Sequence, residues 1–253
     1  MREGLSPAPA HPGSPRRCLP HLRRKGHEGQ GAPDEDGLLS CATTADPLNE
    51  YEHMDGPYTD KRQAILDAAL DLFCERGFHG TPTSMISRQA GVATGTLFHY
   101  FRTKETLIET LYLDIKGELG NALCAHAGTQ DPVREQIRCI FAGYVRWGEE
   151  NPRKFRFMEQ FYNAPQISPH THEEGMSRFA FIRDIVRQGI DEGVLKPCPP
   201  GLQFALFGAS SSAVLRLILS GSGGEEADAL IDQAFDLIWD GIAAPAAGPT
   251  PSR

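Results

Sequence analysis

Within eleven residues the chain places Thr94, Gly95, Thr96, His99, Tyr100 and Lys104. These are short hydroxyl donors, one position of bare backbone, two aromatic rings with polar tips, and a point charge. The set suits contact with an extended anion. A threonine offers its hydroxyl to a phosphate or a base edge and its methyl to thymine. Gly95 has no Cβ, so a duplex strand can come close to the backbone there. A helix N-terminus carries about +0.5 charge and free N–H groups, which attract phosphate. Lys104 falls at the start of a long apolar period. The helix dipole disfavours a cation at that end, so a nearby anion is the simplest reason for it.

Such a face needs elements to hold it. From Thr59 the pattern is helical, with Thr59 or Asp60 as cap and Ile65, Ala68, Ala69, Leu72 and Phe73 on one stripe. Gly77 is placed to end that helix. Thr81 reads as the N-cap of a second helix with Pro82 at its first position, running to about Ala90. Gly91 breaks it and Val92 turns inward. A third helix is predicted over about 94–101, and a fourth from Lys104 to about His126, with Leu107, Ile108, Leu111, Tyr112 and Ile115 on one stripe. Two short helices around Gly91 fit a helix-turn-helix. Leu72, Phe73, Ile86, Val92, Leu97 and Phe101 form its predicted core.

Further helices are predicted at about 131–149, 152–162, 172–192, 199–220 and 225–243, separated by turn signals such as Asn151-Pro152 and "SGSGG". No segment alternates with period two. The expected fold is all-α: an N-terminal three-helix helix-turn-helix DNA-binding domain at 54–104, then a larger helical ligand-binding and dimerisation domain at 105–243. Residues 1–53 hold seven Pro and no apolar period, and 244–253 form a short tail; both are expected to be disordered. Met54 just before the ordered region also fits an over-extended start.

The segment Gly91-Val92-Ala93-Thr94-Gly95-Thr96-Leu97-Phe98-His99-Tyr100-Phe101-Arg102-Thr103-Lys104-Glu105-Thr106-Leu107 resembles the TetR family of transcriptional regulators. Typical members read G-V-S-K-G-T-L-Y-x-Y-F-x-S-K-E-x-L. The first helix, "AILDAALDLFCERGF", is similar too, and the motif covers roughly residues 59–107. The resemblance implies that Thr83 and Ser84 contact phosphate or base, that Thr94, Gly95 and Thr96 face the groove, and that His99, Tyr100 and Lys104 clamp the backbone. Three departures stand out. Ala93 replaces a capping Ser, so Thr94 is expected to cap instead. Thr94 replaces a frequent Lys, and Phe98 replaces a common Tyr.

One head with few base contacts, each worth about 1–3 kcal/mol, discriminates poorly. A homodimer on a palindromic double-stranded DNA operator is therefore expected. The family's habit places that contact on the last two helices, where Ala209 to Ala213 are small and Ala227, Leu230, Ile231, Ala234, Phe235, Ile238 and Trp239 form a stripe. The resemblance also implies a small lipophilic effector that releases a repressor. Its expected lining is Trp147, Met158, Glu159, Phe161, Tyr162, Phe179 and Phe207, with Asn163 as a further polar group. The competing reading is a dimer with no effector, its aromatics simply packed. The fourth helix would be the lever, since Lys104 belongs to the head and Leu111 to Leu123 to the body.

Composition narrows the rest. The net charge is −8, with six Lys/Arg against eight Asp/Glu in 1–53, six against five in 54–104, and thirteen against twenty in 105–253. Only the middle block is not acidic, which suits DNA binding through one face. Six Cys at 18, 41, 74, 124, 139 and 198 show no zinc spacing and read as reduced thiols in a cytoplasm. The Pro-rich start lacks an apolar h-region, so no signal peptide is expected, and the apolar run 204–219, interrupted by Ser210 to Ser212 and Arg216, is read as too short and polar to span a bilayer. No cofactor is expected and no metal; His170, His172 and Glu173 are a weak exception. With no nucleophile motif or phosphate loop, an enzyme is the remote alternative, and the pair Asp67 and Asp71 is read as the solvated face of the first helix.

Overall fold

The structure, a computed structural model, describes residues 57–127, 131–199, 201–221 and 225–245. The expectations for 1–53, and for the tail beyond 245, fall outside it. Ala244 is described, and it is not frayed: its N–H donates to the Val194 carbonyl at 2.9 Å.

Ten helices occur among the described residues: α1 Pro57–Arg76, α2 Thr83–Gln89, α3 Thr94–Tyr100, α4 Lys104–His126, α5 Val133–Glu150, α6 Pro152–Phe161, α7 Pro169–Ser177, α8 Ala180–Asp191, α9 Leu202–Leu219 and α10 Glu225–Ile242. The only β pairing among them is an isolated bridge between Leu195 and Ala243. α1 begins before Thr59, so Thr59 and Asp60 lie in its first turn rather than capping it. Its apolar stripe is buried, and Gly77 ends it as expected: φ is +70° and the Gly77 N–H bonds to Phe73 O at 2.9 Å.

α4 starts where the sequence placed it, capped by Thr103, whose Oγ1 accepts from the Thr106 N–H at 3.0 Å. Its stripe Leu107, Ile108, Leu111, Tyr112, Ile115, Leu119 and Leu123 is buried and faces both head and body. One continuous core therefore runs from Ile65 in α1 to Phe235 in α10. α6 packs under α1, where Phe161 meets Phe73 edge-on at 6.1 Å and Arg153 pairs with Asp71 at 2.6 Å. Asp71 thus ties two helices and is not simply solvated.

Two expectations are corrected here. The predicted helix over 172–192 is two helices, α7 and α8, broken at Arg178 and Phe179. Phe179 is buried against Phe204, and its backbone leaves the helical region, with φ −107° and ψ 19°. α9, in turn, is long and apolar enough to cross a membrane by length and composition, contrary to the sequence reading. It packs on α5 and α10 while leaving Leu202, Leu206, Leu217 and Leu219 exposed.

Candidate nucleic-acid interface

Leu72 and Phe73 of α1, Ile86 of α2, Leu97 of α3 and Phe101 form the small core of the head, with Val92 half-buried beside them. The turn between α2 and α3 needs a left-handed residue, and Gly91 supplies it at φ +68°. Ser87 then locks the two helices together. Its Oγ donates to Ser84 O at 3.2 Å and lies 3.0 Å from Thr94 Oγ1. Because the Ser87 proton is used on the carbonyl, Thr94 must be the donor to Ser87.

Thr94 therefore does not cap α3. Ala93 is the N-cap and gives no side-chain bond, while the Thr94 hydroxyl turns back to α2. What Thr94 retains for a duplex is its methyl and its acceptor lone pairs. Thr81 does not cap α2 either; Pro82 holds that position. Thr81 is fully buried, and its Oγ1 donates to Gly77 O at 2.7 Å and lies 3.1 Å from Leu72 O. It closes the end of α1.

On the outer side, Ser84, Thr94, Gly95, Phe98 and His99 are exposed, and Thr83, Thr96 and Tyr100 are half-buried. A Cβ built at Gly95 would meet nothing within 4 Å, so the backbone there is open. The His99 and Tyr100 rings lie edge-on at 5.7 Å. Lys104 departs from expectation. Its Nζ donates to the Phe78 carbonyl and sits 4.1 Å from the Phe78 ring centroid. Desolvation lowers its pKa from the ordinary lysine value. An internal carbonyl and ring, not an external anion, account for a cation at the head of α4, although a half-exposed ammonium keeps further donors.

The seven expected effector residues differ in placement. Trp147, Met158, Phe161 and Phe179 are buried in the core, Tyr162 is exposed, and exposed Glu159 pairs with Arg216. Phe207 lines a cavity of about 20 Å³ with Ile137, Ile140, Ile182, Val186, Leu195, Gln203, Phe204 and Ile242. That volume holds about one water-sized sphere. Asn163 is exposed. His170 and His172 lie on α7, and His172 Nδ1 is 3.1 Å from the Tyr112 hydroxyl. Among the described residues, no group of three His, Cys, Asp or Glu side chains is placed to hold a metal.

Sequence reasoning missed Lys116, which is 6% exposed on α4 between Tyr112, Tyr162 and Phe179. Its signal was available: it stands four residues after Tyr112 on the buried stripe.

Comparison with known proteins agrees with this architecture. Residues 65–111 match the family described as "Bacterial regulatory proteins, tetR family", and 113–244 match "Tetracyclin repressor-like, C-terminal domain". A solved TetR family transcription regulator from Marinobacter aquaeolei VT8 is 28% identical with a TM-score of 0.68, covering 74% of this chain and 97% of that one. A candidate tetR family regulator from Shewanella sp. PV-4 is 32% identical with a TM-score of 0.69, covering 73% and 99%. The HTH-type transcriptional regulator BetI of Escherichia coli (strain K12) is 34% identical over 90 residues, 35% of this chain. That match spans 46%, about half, of the BetI length. With two family models together spanning its head and body, the chain belongs to the TetR family of transcriptional regulators.

Proposed function

We propose that the chain is a sequence-specific DNA-binding repressor that acts as a homodimer on a palindromic operator in the cytoplasm and is released by a small lipophilic effector. In this reading residues 54–104 bind DNA, and 105–243 dimerise and take the effector. One observation carries the DNA side. α3 buries Leu97 completely while Thr94, Gly95, Phe98 and His99 stay exposed with open backbone at Gly95. A helix propped from one side and bare on the other suits a major groove. In this reading Thr83, Ser84, Thr96, Tyr100 and Lys104 also contact the duplex.

The exposed leucines of α9, with Leu237 of α10, support the dimer. An effector that moves the population from 99:1 to 1:99 needs about 5.5 kcal/mol of preference for the released shape. The packed aromatics favour the rival reading, a DNA-binding dimer with no effector.

Selecting bound DNA from a random pool tests the proposal. The expected result is a palindrome with half-sites about 34 Å apart. Substituting His99→Ala and Tyr100→Phe should weaken binding to it. Recovery of no preferred sequence, or unchanged binding by both variants, would exclude the docking face.

A further inference from the structure

Among the described residues, no anion pairs with the buried ammonium of Lys116. Its Nζ lies 5.3 Å from the Phe179 ring centroid, 5.5 Å from Tyr112 and 5.7 Å from Tyr162, and its one hydrogen bond among the described residues is a long contact of 3.9 Å to the Met176 thioether. Burial alone lowers it to about 8; no neighbouring charge enters. A cation withdrawn from water is costly unless it is paired, and ring faces and a sulfur replace only part of its hydration.

The surroundings look built for a partner. α4 and α7 meet along a polar seam with a regular register. Glu109 accepts from the Ser168 N–H and from Thr171 Oγ1, each at 3.0 Å. Tyr112 meets His172, and Lys116 meets Met176. The anionic end of the seam is therefore satisfied by its own hydrogen bonds, and Glu109 is committed elsewhere. The cationic end is not satisfied. Gly175 lets α7 close over the pair, because a Cβ there would stand 2.8 Å from Tyr112 Cε1 and 3.3 Å from Lys116 Cγ. The outer edge is open: Tyr162 is 47% exposed, and its ring meets His172 edge-on at 5.4 Å. Met176 is the side chain a ligand would displace, and a thioether repacks readily.

We propose that this seam is a binding site for an amphiphilic carboxylic acid, with Lys116 and the Tyr112 hydroxyl holding the carboxylate and the rings of Tyr162 and Phe179 bordering its apolar part. A single ammonium among uncharged walls suits one negative charge. A phosphate would call for several donors in a fork. The proposal rests on the effector-responsive reading and names the ligand class for it. α4 carries Lys104 at its other end, so an acid that parts α7 from α4 acts on the helix that joins the head.

The test uses the full chain, with decanoate and decanol as probes of equal length. Calorimetry should show decanoate binding more tightly than decanol. Lys116→Met should lose at least about tenfold in decanoate affinity, about 1.4 kcal/mol, and keep its decanol affinity. Lys116→Met should fold at least as stably as the wild type, since an apolar side chain of similar length relieves an unpaired buried charge. As a second readout, carbon-labelled lysine in the wild type should show one lysine whose titration midpoint rises when decanoate is added. Equal decanoate affinity in wild type and variant, equal affinity for acid and alcohol, no decanoate binding, or an unmoved lysine midpoint would each overturn the proposal. Operator release by decanol without decanoate binding would overturn the Lys116 site and leave the regulator reading standing. Decanoate held by Lys116 with no effect on the operator would leave the site standing and overturn the effector-responsive reading.

Discussion

Gly95 separates folding from DNA contact more cleanly than any other residue of α3. A methyl group there meets no protein atom within 4 Å, and Ala favours a helix over Gly by about 0.8–1.0 kcal/mol. Gly95→Ala should therefore raise stability slightly in urea unfolding. If the backbone lies against a strand, the same change should weaken operator binding at least about tenfold. Binding equal to the wild type would place the duplex elsewhere. Thr81 makes the opposite prediction. Its buried hydroxyl serves the carbonyls of Gly77 and Leu72 at the end of α1, so Thr81→Val should cost about 1–3 kcal/mol while Thr81→Ser costs less. Lys116 gives a pH dependence with a definite sign. Its folded value of about 8 lies below the ordinary 10.5, so between these the unfolded chain binds more protons than the folded one. Stability contributed at this position should rise as pH increases from about 8 towards 10.5. The stability difference between wild type and Lys116→Met, measured by denaturant titration across that window, isolates it from the tyrosines. A flat difference would mean that Lys116 reaches water.

At the scale of elements, close approach and charge pairing set how the body helices pack. A Cβ at Gly148 would stand 2.0 Å from Leu215 Cδ2, so α5 and α9 touch where a glycine permits it. Leu215 is fully buried and has little room to move. Gly148→Ala should cost about 1–3 kcal/mol by overpacking. Combining it with Leu215→Ala should cost less than the two changes summed, a coupling that a double-mutant cycle measures. α5 and α10 are joined differently, by Arg134–Asp236, Arg138–Asp232 and Arg146–Asp228 at 2.7, 3.1 and 2.9 Å. Most helix spans were legible because one apolar stripe repeats at helical spacing and Gly77 and Gly91 punctuate it. The break between α7 and α8 was not legible. Ser177, Arg178 and Phe179 contain no local breaker, and the bend comes from burying Phe179 against Phe204. Thr81 before Pro82 has the local form of a cap, yet the free carbonyls at the end of α1 take its hydroxyl. Thr94 is drawn to Ser87 in the same way. The exposed side of α3 was readable by subtracting the core. Lys116 was legible only by its place, four residues after Tyr112 on the buried stripe, since a lysine's type by itself gives no hint of burial.

For the whole molecule, the question is why an acidic chain with a net charge of −8 would bind DNA at all. The block 54–104 is close to neutral, so electrostatics alone gives one head little affinity, and few of its side chains reach base edges. Two heads held at a fixed distance contribute twice the contacts to a single event. The face that would hold them is already apolar. Leu202, Leu206 and Leu217 share one exposed side of α9, and Leu237 is 76% exposed on α10. Apolar residues of this size left on the surface in a row mark an association site. Replacing Leu206 and Leu217 together by Asp should leave the fold of each chain intact, since neither side chain is buried. Sedimentation should then report a single-chain mass. The double variant should bind the selected palindrome at least about a hundredfold more weakly, and its dependence on salt should fall to about half the wild-type slope, because each head neutralises its own set of phosphates. A variant that stays dimeric would move the association face off α9. A monomer that kept full affinity and the full salt slope would mean that one head suffices.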